Sequence, residues 1–106
     1  ANMEKLLAKV SSDIRRIESR GGQVILIRPP SNGIFRKFER IHYPREQYFD
    51  ALCKATDCYS IHFEDHPELA NYVCVDESHL SKKDAVIFTQ QVIEILKNEG
   101  LVRGAE

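Results

Sequence analysis

A chain of 106 residues, 42% hydrophobic and 29% charged, has the composition of one small globular domain and excludes an intrinsically disordered tract. Its formal net charge of -1 by itself argues neither for nor against a polyanionic partner. No run approaches the roughly 20 apolar residues of a membrane helix, and no signal-peptide pattern opens the chain.

The charge is unevenly spread. Eleven of the Lys and Arg residues but only six of the Asp and Glu residues precede Ala55, while four and ten follow from there. A basic half and an acidic half can attract one another within one fold. Three cysteines (Cys53, Cys58, Cys74) are an odd number without framework spacing, which argues against a disulfide-stapled secreted module. Reduced thiols favour a cytoplasmic setting, unless a targeting sequence lies upstream. Ala1-Asn2, ahead of Met3, read as an added remnant and carry no structural weight.

In chain order, Met3, Leu6, Leu7, Val10, Ile14 and Ile17 fall at helical spacing and predict a helix over Met3 to Arg20. Gly21-Gly22 stops it. Gln23 to Arg28 is a run of β-formers typical of a strand covered on both faces, as in a parallel sheet. Pro29 to Gly33 is a loop, and Ile34 to His42 reads as a short helix of mixed aromatic and basic residues. Pro44 opens a further helix to about Ala55, with Tyr48, Leu52 and Ala55 on one face. Tyr59 to Phe63 is a second strand, which completes a β-α-β unit. A polar loop and an extended piece at Tyr72 to Val75 follow. Ser81-Lys82-Lys83-Asp84 is a variant capping box that starts the last helix, which ends near Glu99 with Gly100 as its cap. Its apolar face of Ala85, Phe88, Val92, Ile95 and Leu96 should pack on the sheet.

These elements predict a single α/β domain over 1-106, with a small parallel sheet and helices on both faces, part of a flavodoxin-like three-layer architecture. Two parallel strands leave both outer edges with unpaired backbone groups. Another chain or a preceding segment of the native protein is therefore expected to cover them, and homo-oligomers through the open edges are one way.

Three stretches carry a family resemblance. They are Arg20 to Pro30 around the glycine-led buried strand, Ile61-His62-Phe63-Glu64-Asp65 at the end of the next strand, and Asp76-Glu77-Ser78-His79-Leu80-Ser81 opening the last helix. Together they resemble the C-terminal part of an SGNH (GDSL-type) hydrolase, over most of Gly21 to Leu96. The resemblance implies that His79 is the general base of a Ser-His-Asp triad and Asp76 its orienting carboxylate, with Ser78 an ordinary loop residue. It implies an ester or acyl substrate and no cofactor or metal. The Pro29 to Gly33 loop would then share the sheet edge with this motif, as ligand sites of open α/β sheets do. Arg28 and Asn32 become candidate substrate-binding residues there, with Arg28 meeting an anionic group.

The chain departs from the family in what it lacks. It has no Gly-Asp-Ser and no Gly-x-Asn-Asp, and Asn32 and Asn71 do not have the neighbours of an oxyanion-hole asparagine. Without nucleophile and oxyanion donors the chain alone is predicted inactive. Other readings stay open. The Asp-x-x-His stretch can be a plain hydrogen-bonded turn ahead of a helix. His62, Glu64, Asp65 and His66, near Cys58 and Cys74, have the side chains of a zinc site but not its spacing. Phe35, Arg36, Lys37, Phe38, Arg40, His42, Tyr43 and Arg45 interleave aromatic and basic groups as nucleic-acid platforms do, but no nucleic-acid-binding motif accompanies them, so none is expected to bind. A non-catalytic self-association or interaction module would also explain the missing serine.

Overall fold

A computed structural model describes residues 2–102. Helix α1 (Asn2–Ser19) occupies the span set by the apolar spacing. Asn2 is its first residue, while Ala1, the rest of the expected remnant, lies outside the described residues. Ile14 is buried, and Ser11 on the same side donates its hydroxyl to the Ala55 carbonyl at 3.1 Å. Leu6 and Ile17, at the margins of the stripe, remain exposed. The helix stops where expected. Gly21 takes φ +85°, which a side chain disfavours, and Gly21 and Gly22 donate to the Glu18 and Ile17 carbonyls in the paired pattern of a Schellman cap.

Strands β1 (Ile25–Arg28) and β2 (Tyr59–His62) pair in parallel, from Ile25 opposite Tyr59 to Arg28 opposite His62. Ile61 and His62 are almost fully buried, whereas Ile27 on β1 is 41% exposed. The expected coverage of both faces is thus incomplete at Ile27; separately, among the described residues β1 has β2 as its one strand neighbour. The connection between the strands contains α2 (Gly33–His42), a 3-10 turn (Arg45–Gln47) and α3 (Phe49–Thr56). The helix expected from Pro44 to Ala55 is therefore interrupted. Tyr48, at φ -120° and ψ -77°, leaves helical geometry between the two pieces.

The polar stretch after β2 is more ordered than its composition suggests. It forms a 3-10 turn (Phe63–Asp65) and a single helical turn, α4 (Pro67–Ala70), opened by its proline. Tyr72 to Val75 joins no strand. Helix α5 (Lys82–Asn98) begins as its sequence predicts, with the Ser81 hydroxyl accepting from the Asp84 N–H at 3.1 Å. At its end, Gly100 and Leu101 donate to the Lys97 and Leu96 carbonyls. Phe88, Val92, Ile95 and Leu96 are buried and Ala85 partly so, which agrees with the expected apolar face, but α5 falls in a different compact unit from the sheet on which that face was expected to pack. The structure is thus mixed helix and strand, mostly helical, with a two-stranded parallel sheet.

The chain divides into two compact units. Among the described residues, the first comprises 2–29 and 38–62, and so holds the sheet together with α1 packed on α3. The second comprises 30–37 and 63–102. Its core is built from Phe63, Leu69, Cys74 and the buried face of α5. Here one residue of the basic half meets one of the acidic half. Arg36, 8% exposed, makes a forked ion pair with Glu64 at 2.6 and 3.3 Å, and its guanidinium lies 5.5 Å from the centre of the Phe63 ring. A planar fork of this kind suits a carboxylate better than an ammonium would.

Breaking such a pair takes the carboxylate away from a desolvated guanidinium, and roughly 3–5 kcal/mol is usual where both charges are buried. Glu64 keeps 28% of its side chain in water. We expect Glu64→Ala to lower the unfolding free energy by about 2 kcal/mol in urea titrations at neutral pH. A loss below about 0.5 kcal/mol would mean the pair behaves as an exposed one.

Candidate functional site

The Asp-x-x-His stretch forms a tight loop in the second unit, directly before α5. Asp76 is its organiser. One carboxylate oxygen, Oδ1, accepts the backbone N–H of His79 at 2.7 Å and that of Ser78 at 3.1 Å. The same oxygen lies 3.2 Å from the Ser78 hydroxyl. The other oxygen, Oδ2, lies 2.7 Å from Nδ1 of His79. A further backbone bond closes the loop at its base, from the Val75 N–H to the His79 carbonyl at 2.9 Å.

This geometry assigns distinct tasks to the two ring nitrogens. With Nδ1–H donating to Asp76, Nε2 carries the lone pair, and the side chain is 74% exposed. The Ser78 hydroxyl lies 3.0 Å from Nδ1, the nitrogen already engaged with the carboxylate, and not beyond Nε2, where a triad nucleophile would stand. Ser78 is therefore part of the turn, as its position in the motif suggests.

The carboxyl of Asp76 is held down at about 2, against an ordinary 3.8. The largest cause is the side-chain hydrogen bond from His79, followed by the backbone N–H of Ser78, with a smaller opposing effect of desolvation. Each of these donors favours the ionised form.

The loop is also tied to the segment that leads into α2. The Asn32 N–H donates to the Glu77 carbonyl at 2.9 Å, and the Asn32 side-chain amide to the Tyr72 carbonyl at 3.0 Å. The Cys74 thiol lies 3.4 Å from the Pro30 carbonyl. Glu77, a mere spacer in the Asp-x-x-His pattern, adds its own carboxylate, which accepts the Phe35 N–H at 3.1 Å. Tyr72 reaches the other way, donating its hydroxyl to Gln91 and packing edge-on against Phe88 on α5. Burial, with the nearby Asp84 charge second, pushes the Tyr72 hydroxyl up from its usual range.

Of the four residues singled out from the sequence, Asp76, His79 and Asn32 therefore belong to one unit, with Asn32 bonded to the same loop. Arg28 belongs to the first unit, where it pairs with Glu39 at 2.6 Å and donates to the Pro29 carbonyl at 3.0 Å. Sequence reasoning passed over Glu77 and Tyr72, because their partners lie 42 and 19 residues away and no spacing rule links them.

Among the described residues, no group of three or more His, Cys, Asp or Glu is placed to hold a metal ion. His62 is buried edge-on against Phe49, and His66 precedes the first turn of α4. No helix among the described residues is long and apolar enough to cross a membrane. No family model matches the chain, and no curated protein or solved structure matches it.

The depressed Asp76 carboxyl has a pH signature. Its ionised form is favoured by folding, so the stability it contributes is fully present above 3.8 and is lost as the pH falls from there towards about 2. Carbon-detected NMR titration of the Asp76 carboxyl should give a midpoint near 2. In His79→Ala the midpoint should rise towards 3.8 without fully reaching it, because the Ser78 and His79 backbone donors remain. An unchanged midpoint would show that the imidazole is not the main cause.

Proposed function

We propose that this chain is the C-terminal segment of an SGNH-like ester hydrolase or acyltransferase, and that Asp76 and His79 are the acid-base half of its Ser-His-Asp triad. The observation that carries this reading is the 2.7 Å contact between Asp76 Oδ2 and His79 Nδ1, which leaves Nε2 of an exposed imidazole for a hydroxyl. The position of the pair agrees with it, on a loop that opens the last helix. A parallel strand pair earlier in the chain and the resemblance of Arg20 to Pro30 and Ile61 to Asp65 add to it. On this reading the sheet is part of a three-layer flavodoxin-like architecture, completed by strands outside this chain.

The chemistry follows from the two nitrogens. A serine hydroxyl, supplied by a segment joined to this one, gives its proton to Nε2 of His79 as its oxygen attacks the ester carbonyl. Asp76 keeps the proton on Nδ1 and stabilises the imidazolium. The imidazolium then returns the proton to the departing alkoxide, leaving an acyl-serine. Water, or an acceptor alcohol in a transferase, takes the acyl group by the same steps in reverse. No cofactor enters. Asn32, bonded to the dyad loop, is the nearer of the two substrate-contact candidates, and Arg28 would serve only by exchanging Glu39 for an anionic group.

A second reading has its own support. Among the described residues, each strand of the two-stranded sheet has a strand partner on one side only, and such edges are natural places for another chain to add a strand. In that case the protein is an interaction module and the Asp76–His79 turn is structural.

The two are separated by comparing this chain with the full product of its gene. We expect the longer protein to react with a fluorophosphonate probe at one serine and to hydrolyse p-nitrophenyl acetate, while this chain alone does neither. His79→Ala in the longer protein should lower kcat by about 10³-fold or more, in line with the loss of a triad member. A gene product without a reactive serine, together with a stable dimer in sedimentation, would overturn the hydrolase reading in favour of the interaction module.

A further inference from the structure

Glu77 stands between the two dyad residues at φ +69°, a left-handed conformation that a glutamate adopts only at a cost. Glycine, asparagine or aspartate would occupy such a position more easily. Something beyond local preference therefore holds Glu77 there, and such strain persists only where its surroundings impose it. The imposing contacts are on the same residue. Its carbonyl accepts the Asn32 N–H at 2.9 Å and its carboxylate the Phe35 N–H at 3.1 Å.

Both donors belong to the start of α2, where backbone N–H groups have no partner within the helix. The Asn32 side chain is turned away to Tyr72, so it does not cap its own helix. Glu77 supplies the acceptor across a separation of 42 residues, and its negative charge suits the positive end of the helix. Space has been left for it. Gly33 has φ +64°, and a Cβ there would collide with the Glu77 carboxylate.

The consequence reaches the dyad through the backbone. With Glu77 left-handed, the chain turns back so that Asp76 Oδ1 meets the N–H groups of both Ser78 and His79. That turn in turn sets the His79 ring against Oδ2.

We propose that Glu77 is the positioning residue of the site: by clamping its loop to the first turn of α2, it holds Asp76 and His79 in the geometry of a working pair. The catalytic meaning of this role rests on the hydrolase reading, but the clamp itself can be tested without it. The Asp76 carboxyl of this chain provides the readout, followed by NMR together with the Nδ1–H resonance of His79.

Glu77→Asn is the decisive variant, because asparagine accepts the left-handed conformation but is one methylene too short to reach Phe35. It should remain folded, raise the Asp76 midpoint from about 2 towards 3.8, and broaden or lose the Nδ1–H signal. Glu77→Gln keeps the acceptor oxygen and should restore the wild-type midpoint. In the longer, ester-cleaving protein, Glu77→Asn should lower kcat by on the order of 10- to 100-fold with KM little changed.

A folded Glu77→Asn chain that titrates like wild type would overturn the proposal. So would a chain that unfolds at neutral pH, since Glu77 would then serve the fold and not the pair. Because the NMR readouts need no turnover, an inactive gene product would sink the hydrolase reading and leave the clamp standing. Normal ester cleavage by Glu77→Asn would do the reverse.

Discussion

The second unit depends on two stretches of backbone satisfying one another. The loop 30–32 with the first turn of α2, and the segment 72–77, join no strand pair, and their polar groups would be costly to leave unmet where the chain is packed. Four contacts meet part of that need: Asn32 to Glu77, Asn32 to Tyr72, Phe35 to Glu77 and Cys74 to Pro30. Each joins residues at least 40 positions apart. Together they decide where α2 starts, which way the loop before α5 faces, and hence where Asp76 and His79 stand. The forked Arg36–Glu64 pair adds a fifth tie, one turn further along α2.

The dyad is exposed, and that determines how it is held. In high dielectric, a carboxylate and an imidazolium attract each other only weakly, and exposed ion pairs contribute little to stability. Geometry here comes from hydrogen bonds. Asp76 spends one oxygen on backbone N–H groups and the other on the ring, so it is anchored before it orients the histidine. A carboxylate tied only to the imidazole would swing with it. The same bonds depress the Asp76 carboxyl, because each donor favours its ionised form. Full solvent access would be a poor setting for acyl transfer, which works best where water is excluded.

Much was legible in the sequence, and for a common reason. Contacts that span about four residues write themselves into spacing: the stripe of α1, the Gly21 and Gly100 caps, the Ser81–Asp84 cap and the buried face of α5 all follow from helical periodicity. The Asp76–His79 contact belongs to this class, since the two residues are three apart and a turn brings them together. The break at Tyr48 did not, because Pro44 permits a helix start without fixing how far the helix continues.

The choice of partners across long separations came from the fold. The sequence shows a basic first half but not that Arg36 would meet Glu64 while Arg28 meets Glu39 within its own half. It offers Asn32 as a possible ligand for a substrate, whereas its amide holds the Tyr72 carbonyl. It presents Glu77 as a spacer, although that residue caps a helix begun 44 positions earlier. Periodicity and local hydrogen bonds mark α1, α5, the strand pair and the Asp76–His79 contact in the sequence, because they act within a few positions; the break at Tyr48 and the turn α4 are not marked in this way. The fold determined how that dyad is aimed, because an acceptor for a distant N–H is selected by which backbone segments come to lie side by side, and no pattern of neighbouring residues encodes that.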